Sequence, residues 1–176
     1  QRFADLDGDG VAELLRSSGT ALSIFDGQVG GLGAERLVEL PPELSGYELR
    51  DARLRIQDMT GDGLADYVVL EPTHFTLFEG LGDGQFTVGI RQPLPQQIVD
   101  YGPCEFRDLD RNGTVDLAIF IDATLRWFPR RIDGSFGQAR TIAAPTQADN
   151  TSRLTYADLN GNGSLDLKRL LAAQAQ

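Results

Sequence analysis

Apolar and polar residues alternate in short runs along most of the chain, with a period of two rather than the 3.6 of a helix. Leu54/Ile56, Cys104/Phe106 and Leu154/Tyr156 each alternate with other residues, as the inward positions of half-buried strands do. Continuous β-branched and aromatic runs follow at residues 67–70 and 117–121, and a third set at 21–25, 74–78 and 124–128. A fourth set is predicted at 36–40, 86–90 and 136–142. Between the third and fourth sets stand Asp83-Gly84 and Asp133-Gly134, which read as hairpin turns because glycine readily supplies positive φ. Stretches containing Pro41-Pro42, Pro93 to Pro95 and Pro145 separate one group of strands from the next.

The pattern repeats. One segment is written four times: FADLDGDGVAE (3–13), IQDMTGDGLAD (56–66), FRDLDRNGTVD (106–116) and YADLNGNGSLD (156–166). The leading aspartates Asp5, Asp58, Asp108 and Asp158 recur at intervals of 53, 50 and 50 residues. Phe25, Phe78 and Phe128 each follow their leading aspartate by 20 residues. Four strands per unit of about 50 residues is the arithmetic of propeller blades. The expected fold is therefore all-β: a β-propeller-like array of four-stranded antiparallel blades, about three and a half repeats long. It is a single repeat domain over 1–176, with repeats at 1–52, 53–102 and 103–152 and a half repeat at 153–176.

Within each copy, oxygen-bearing side chains fill positions 1, 3, 5 and 9: Asp5, Asp7, Asp9 and Glu13; Asp58, Thr60, Asp62 and Asp66; Asp108, Asp110, Asn112 and Asp116; Asp158, Asn160, Asn162 and Asp166. Position 6 is always glycine, which permits a sharp reversal, and position 7 (Val11, Leu64, Thr114, Ser164) can add a backbone carbonyl. A hard cation such as calcium takes roughly six to eight oxygen ligands. No cysteine or histidine joins the set, so zinc and copper are disfavoured and calcium is the expected cofactor. An EF-hand needs a glutamate at position 12, where this chain has Arg16, Val69, Ile119 and Arg169, so that motif is excluded. The alternative is a set of Asx-rich turns that hold only their own backbone. Carboxylates number four, three, three and two from the first loop to the last, so affinity is expected to fall in that order. Position 2 is apolar throughout (Leu6, Met59, Leu109, Leu159) and should anchor each loop on the core.

This Asp-x-Asp-x-Asp-Gly-x-x-Asp/Glu motif at ~50-residue spacing resembles the FG-GAP/VCBS repeats of β-propellers, and Ser135-Phe136-Gly137 matches the Phe-Gly of the name. The phrase DMTGDG at 58–63, and Arg126-Trp-Phe-Pro129 followed by Ile132 to Gly137, are similar to the VCBS region of the B component of bacterial Tc insecticidal toxin complexes. Thr60, Arg111 and the missing Gly-Asp turn of the first unit depart from the pattern. The resemblance implies a bacterial origin and a scaffold or docking surface in a secreted toxin or adhesion protein, with toxic enzymology lying in other regions of that family.

Charge sharpens this. Of 176 residues, 26 are acidic and 16 basic, a formal charge of -10. Nucleic acid rewards the opposite sign. Twelve of the acids are at ligand positions, so the acidity belongs to the loops. No apolar run approaches the ~18 residues of a membrane span. Gln1 opens the chain without a start methionine or signal-peptide pattern, which suggests a processed or excised piece. Millimolar free calcium is an extracellular condition, so a secreted or cell-surface location is expected.

The remaining chemistry is sparse. His74, the single histidine, starts a predicted strand without a nucleophile pattern nearby, and Cys104 falls in the register of Leu54 and Leu154 and reads as a small core residue. Trp127 and Phe128 read as blade packing rather than a sugar platform, and Arg126, Arg130 and Arg131 as a solvated edge. No catalytic residues are assigned and the chain is expected not to be an enzyme; a carbohydrate-binding propeller or propeller-fold enzyme is the competing class. Expected partners are other protein chains or the remaining blades of a larger protein. An open array exposes sheet edges. Two copies of three and a half blades would make seven, so a homodimer stands beside an excised piece of a longer propeller and an open arc.

Overall fold

The computed structural model describes residues 1–121, 124–143, 153–157 and 166–170. The chain forms three four-stranded antiparallel sheets, each a meander in sequence order, and a two-stranded pair. The first sheet is β1 (Arg2–Ala4), β2 (Glu13–Ser18), β3 (Ala21–Gln28) and β4 (Gly31–Glu39). The second is β5 (Leu54–Gln57), β6 (Asp66–Leu70), β7 (His74–Phe78) and β8 (Ile90–Pro93). The third is β9 (Cys104–Arg107), β10 (Asp116–Ile121), β11 (Thr124–Phe128) and β12 (Arg140–Ala143). β13 (Arg153–Ala157) pairs with β14 (Asp166–Leu170). This is the all-β, propeller-like array expected from the repeat, and no α-helix occurs among the described residues. The chain groups into two compact units, Gln1–Gly102 and Pro103–Gln176.

Each Asp-rich segment connects the first strand of a sheet to the second. The second strands of the second and third sheets are the most apolar because both of their faces are covered: every residue of β6 and the first four of β10 are buried. In the first unit, Leu15, Leu22 and Ile24 of the first sheet form one core with Leu54, Tyr67, Val69 and Phe78 of the second. The connection between these sheets belongs to that core. It begins with a 3-10 turn at Pro42–Leu44 and contributes Leu40, Leu44 and Leu49. In the second unit Leu109, Ala118, Leu125 and Trp127 pack together, with Phe120 against them. Cys104 is buried, as its register requires.

The fourth strands depart from expectation. Residues 86–90 and 136–142 were expected to pair continuously, but Phe86 and Phe136 make only isolated bridges to Gly80 and Arg130, and β8 and β12 begin at Ile90 and Arg140. The cause is a bulge. Leu77 pairs with Ile90, yet Thr87 N–H donates to Glu79 O at 2.9 Å, so one extra residue is accommodated on the outer strand. Trp127–Arg140 and Gly137–Pro129 repeat that offset, and the first sheet shifts register between Phe25 and Gly27. The bulge therefore follows the same phenylalanine position in all three sheets. In the first sheet the outer hairpin is long enough to resume pairing beyond it, from Gly27 to Leu32. The turn at Asp83-Gly84 forms as expected, with positive φ at both residues (51° and 75°). Pro93 ends β8, the outer strand, where a missing N–H leaves no ladder bond unmade.

Candidate metal centres

Three loops, 5–12, 58–65 and 108–115, are built alike. The leading aspartate turns back onto its own loop. Asp5 accepts the N–H of Gly8 (2.8 Å) and of Gly10 (3.0 Å), and Asp58 accepts Gly61 (2.6 Å) and Gly63 (2.9 Å). Asp108 accepts Asn112 (3.2 Å) and Gly113 (3.0 Å). Each loop reverses through left-handed backbone at positions 4 and 6 (Gly8 and Gly10, Gly61 and Gly63, Arg111 and Gly113). Leu6, Met59 and Leu109 are buried and pin the loops to the core, as their apolar character predicts.

The acid at position 9 does more than line the loop. Glu13 Oε2 accepts the Leu6 N–H at 2.7 Å. Asp66 accepts Met59 N–H at 2.7 Å and Gly80 N–H at 2.8 Å, one on each oxygen. Asp116 does the same with Leu109 (3.0 Å) and Arg130 (2.8 Å). Asp66 and Asp116 thus tie the loop to the bulge after the third strand, whereas Glu13 holds Leu6 of its own loop. A side chain at Gly80 would run into the Ala65 carbonyl, and one at Gly27 would lie 2.8 Å from the Ala12 carbonyl, so bulge and loop touch through backbone.

The structure gathers Asp5, Asp7 and Glu13, and likewise Asp108, Asp110 and Asp116, with one carboxylate oxygen from each within 4.8 Å of the others. Position 5 stays apart. Asp9, Asp62 and Asn112 each fold back to accept the N–H of position 7, Val11 (2.7 Å), Leu64 (2.9 Å) and Thr114 (2.7 Å). Asp58, Thr60, Asp62 and Asp66 form no three-acid group, because the hydroxyl of Thr60 replaces the carboxylate at position 3. In the last loop Asp158, Asn160, Asn162 and Ser164 lie outside the described residues, and Asp166 is placed as the first residue of β14.

The electrostatics favour a positive guest. Burial raises the carboxyls of Glu13, Asp66 and Asp116 above their ordinary values; their backbone amide bonds pull them down, and the neighbouring loop aspartates push them up again. A carboxylate offers about four lone-pair sites, so the amide bonds leave Glu13 and Asp116 capacity to coordinate. Asp7 and Asp110 stand at the exposed mouths. The donor set is all oxygen, and these clusters could bind a metal ion.

Comparison with known proteins places the repeats. The model of the FG-GAP-like repeat matches residues 58–119 and 108–167. No curated protein matches the chain. Among solved structures, a Photorhabdus luminescens Tc holotoxin pore is similar at 24% identity and a TM-score of 0.80, over 99% of this chain and 8% of that one. A TcdB2-TccC3 structure without its hypervariable C-terminal region matches at 23% identity and 0.61, over 84% and 7%. An Agrocybe aegerita lectin that recognises non-reducing terminal N-acetylglucosamine matches at 16% identity and 0.69, over 96% and 46%. This chain thus spans less than a tenth of the two toxin chains, and the likenesses are likenesses of fold. With more than half its length under the family model and the same loop, strand and bulge in three successive sheets, the chain belongs to the FG-GAP-like repeat family.

Proposed function

We propose that the chain is a calcium-stabilised repeat module that serves as scaffold and protein-interaction surface, without catalytic activity of its own. The observation that carries the reading is the pair of three-acid clusters, Asp5/Asp7/Glu13 and Asp108/Asp110/Asp116, each with one buried carboxylate that accepts the N–H of its loop's apolar anchor, Leu6 or Leu109. A cation there would offset the repulsion among the loop acids and lock the first two strands and the bulge of a sheet together. By linkage, anything that binds only the folded state raises its melting temperature. The reading predicts a lower melting temperature in chelator, restored by calcium, and heat of binding on calcium titration; no change with chelator and no heat at millimolar calcium would refute it. Calcium at such concentrations belongs outside the cell, which supports a secreted or surface protein, and the fold likeness to Tc toxin chains supports a place in a larger bacterial toxin or adhesion assembly. Its partners on this reading are other protein chains or further blades, a second copy included, and light scattering over a range of concentrations tests the last.

The fold likeness to a lectin favours a second reading, a carbohydrate-binding propeller. A glycan array with a hydrolase panel separates the two.

A further inference from the structure

An open cleft of about 890 Å³ lies beside the third Asp-rich loop, within the size range of small-molecule sites. Its lining carries Arg130, Arg131 and Arg140 together with Asp110, Asp133 and Gln138, with Pro129 and the exposed Ile132 as apolar members. The equivalent positions in the second sheet are Gly80, Leu81 and Ile90, so the three cations are particular to this sheet rather than part of the repeat.

The guanidiniums are held in place. Arg130 is only 9% exposed, and its Nε–H reaches Gly134 O at 3.4 Å. Arg131 is fixed by the turn, its backbone N–H donating to Ser135 O at 2.8 Å and its side chain to Ser135 Oγ at 3.3 Å. Arg140 stacks on the Trp127 ring at 4.9 Å. Among the described residues neither Arg131 nor Arg140 enters an ion pair. The nearby Asp133 instead uses Oδ1 on the N–H and hydroxyl of Ser135 (2.9 and 2.6 Å), which holds its carboxyl below the ordinary range.

We propose that this cleft binds a hydroxylated monocarboxylate of the uronic-acid kind, its carboxylate on Arg131 and Arg140. A guanidinium fork matches a planar carboxylate with two parallel hydrogen bonds. Three arginines against two aspartates leave one net positive charge, which suits a singly charged ligand and disfavours a polyanion. The second oxygen of Asp133 and the Gln138 amide can take ligand hydroxyls, and Pro129 offers an apolar surface to the C–H side of a sugar ring. That charge balance is the metal-free one; the recognition needs no calcium, and a cation held at Asp110 would add positive charge beside the ligand's carboxylate.

The test is titration of the whole chain, in calcium and again in chelator, with glucuronate, glucose and inorganic phosphate. Glucuronate is expected to bind in the millimolar range, with glucose and phosphate each at least about tenfold weaker. The double variant Arg131→Gln/Arg140→Gln should lose about tenfold in glucuronate affinity while keeping its melting temperature and calcium response. Arg131→Lys, which keeps the charge but not the fork, should fall between. No glucuronate binding up to about 20 mM, equal binding of glucose, phosphate binding as tight as glucuronate, or an unchanged double variant would each overturn the proposal. Should the double variant melt early, the Arg131→Lys comparison decides alone.

Discussion

Tyr67 occupies the centre of the second sheet at 1% exposure, with its ring edge-on to Phe86 at 4.6 Å between centroids. Its hydroxyl meets no hydrogen-bond partner among the described residues, and burial drives its pKa far above the ordinary phenol. A buried hydroxyl without a partner costs about 1–3 kcal/mol. Tyr67→Phe keeps the ring and removes that cost, so chemical denaturation should show a gain of about 1 kcal/mol. Arg111 presents a related strain. It holds φ at 58° where the first two loops have Gly8 and Gly61. An L-residue in left-handed backbone costs about 1–2 kcal/mol, and part of the relief at glycine returns as unfolded-state entropy. Arg111→Gly should therefore raise stability by up to about 1 kcal/mol. Arg111 stands out from the repeat in the sequence alone, whereas nothing in the pattern signals the orphan hydroxyl of Tyr67, which depends on what packs around it.

Phe3, Leu14 and Phe25 form one cross-strand row of the first sheet, through the pairs Phe3–Leu14 and Leu14–Phe25. The same row in the second sheet is Ile56, Tyr67 and Phe78, and in the third Phe106, Leu117 and Phe128. Equivalent positions differ in burial: Phe106 is 5% exposed and its counterpart Phe3 is 67% exposed, while Phe78, in the third strand of the row, is 1% exposed. Truncation should follow burial rather than residue type. Phe78→Ala should cost about 3–5 kcal/mol, whereas Phe3→Ser should fall within ~0.5 kcal/mol of the parent, both read by denaturant titration. The connection from the first sheet to the second carries a further test. Arg53 makes a two-pronged ion pair with Asp51 (3.1 and 2.8 Å) and stacks on Tyr47 at 4.7 Å, and Tyr47 donates to Glu71 at 3.0 Å. The Arg53 side chain holds the Asp51 carboxyl below its ordinary value of 3.8. A depressed carboxylate contributes stability above its unfolded value, and that contribution disappears as pH falls through the folded one. Asp51→Asn should thus lower the melting temperature at pH 7, with the gap to the parent closing below about pH 4. The strands and the loops were legible because they obey short periods and recur. In the sequence the connection is only a proline-marked separator, because Leu44 and Leu49 follow no period and only tertiary packing gives them a place in the core. The outer strands were placed too early for a similar reason: the bulge arises from contact with the loop, which local alternation does not encode.

The net charge of -10 is concentrated in the loops: outside the sixteen ligand positions, 14 acids face 16 bases. The molecule therefore carries a nearly balanced surface with acidic loops on a common plan, and what each loop does depends on how many carboxylates it brings to one point. Carboxylate number alone ranks the second loop equal to the third. The geometry separates them, since Asp110 completes a three-acid cluster while Thr60 leaves the second loop without one. The first loop does not gain its full count either, because Asp9 turns back to the Val11 N–H. Calcium titration should accordingly resolve stronger binding at the first and third loops than at the second, in place of a smooth decline along the chain. Asp7→Asn and Asp110→Asn each remove one charge from an exposed mouth and leave the loop's backbone hydrogen bonds to Asp5 and Asp108 intact. Each should abolish or weaken one strong site about tenfold or more, since ligand charge tunes calcium affinity. The metal-free melting temperature should stay the same or rise, because fewer like charges then crowd the buried carboxyls of Glu13 and Asp116. A fall in metal-free stability equal to the loss of calcium response would instead mean that these aspartates serve the loop backbone, and that the repeat is held by its Asx turns alone.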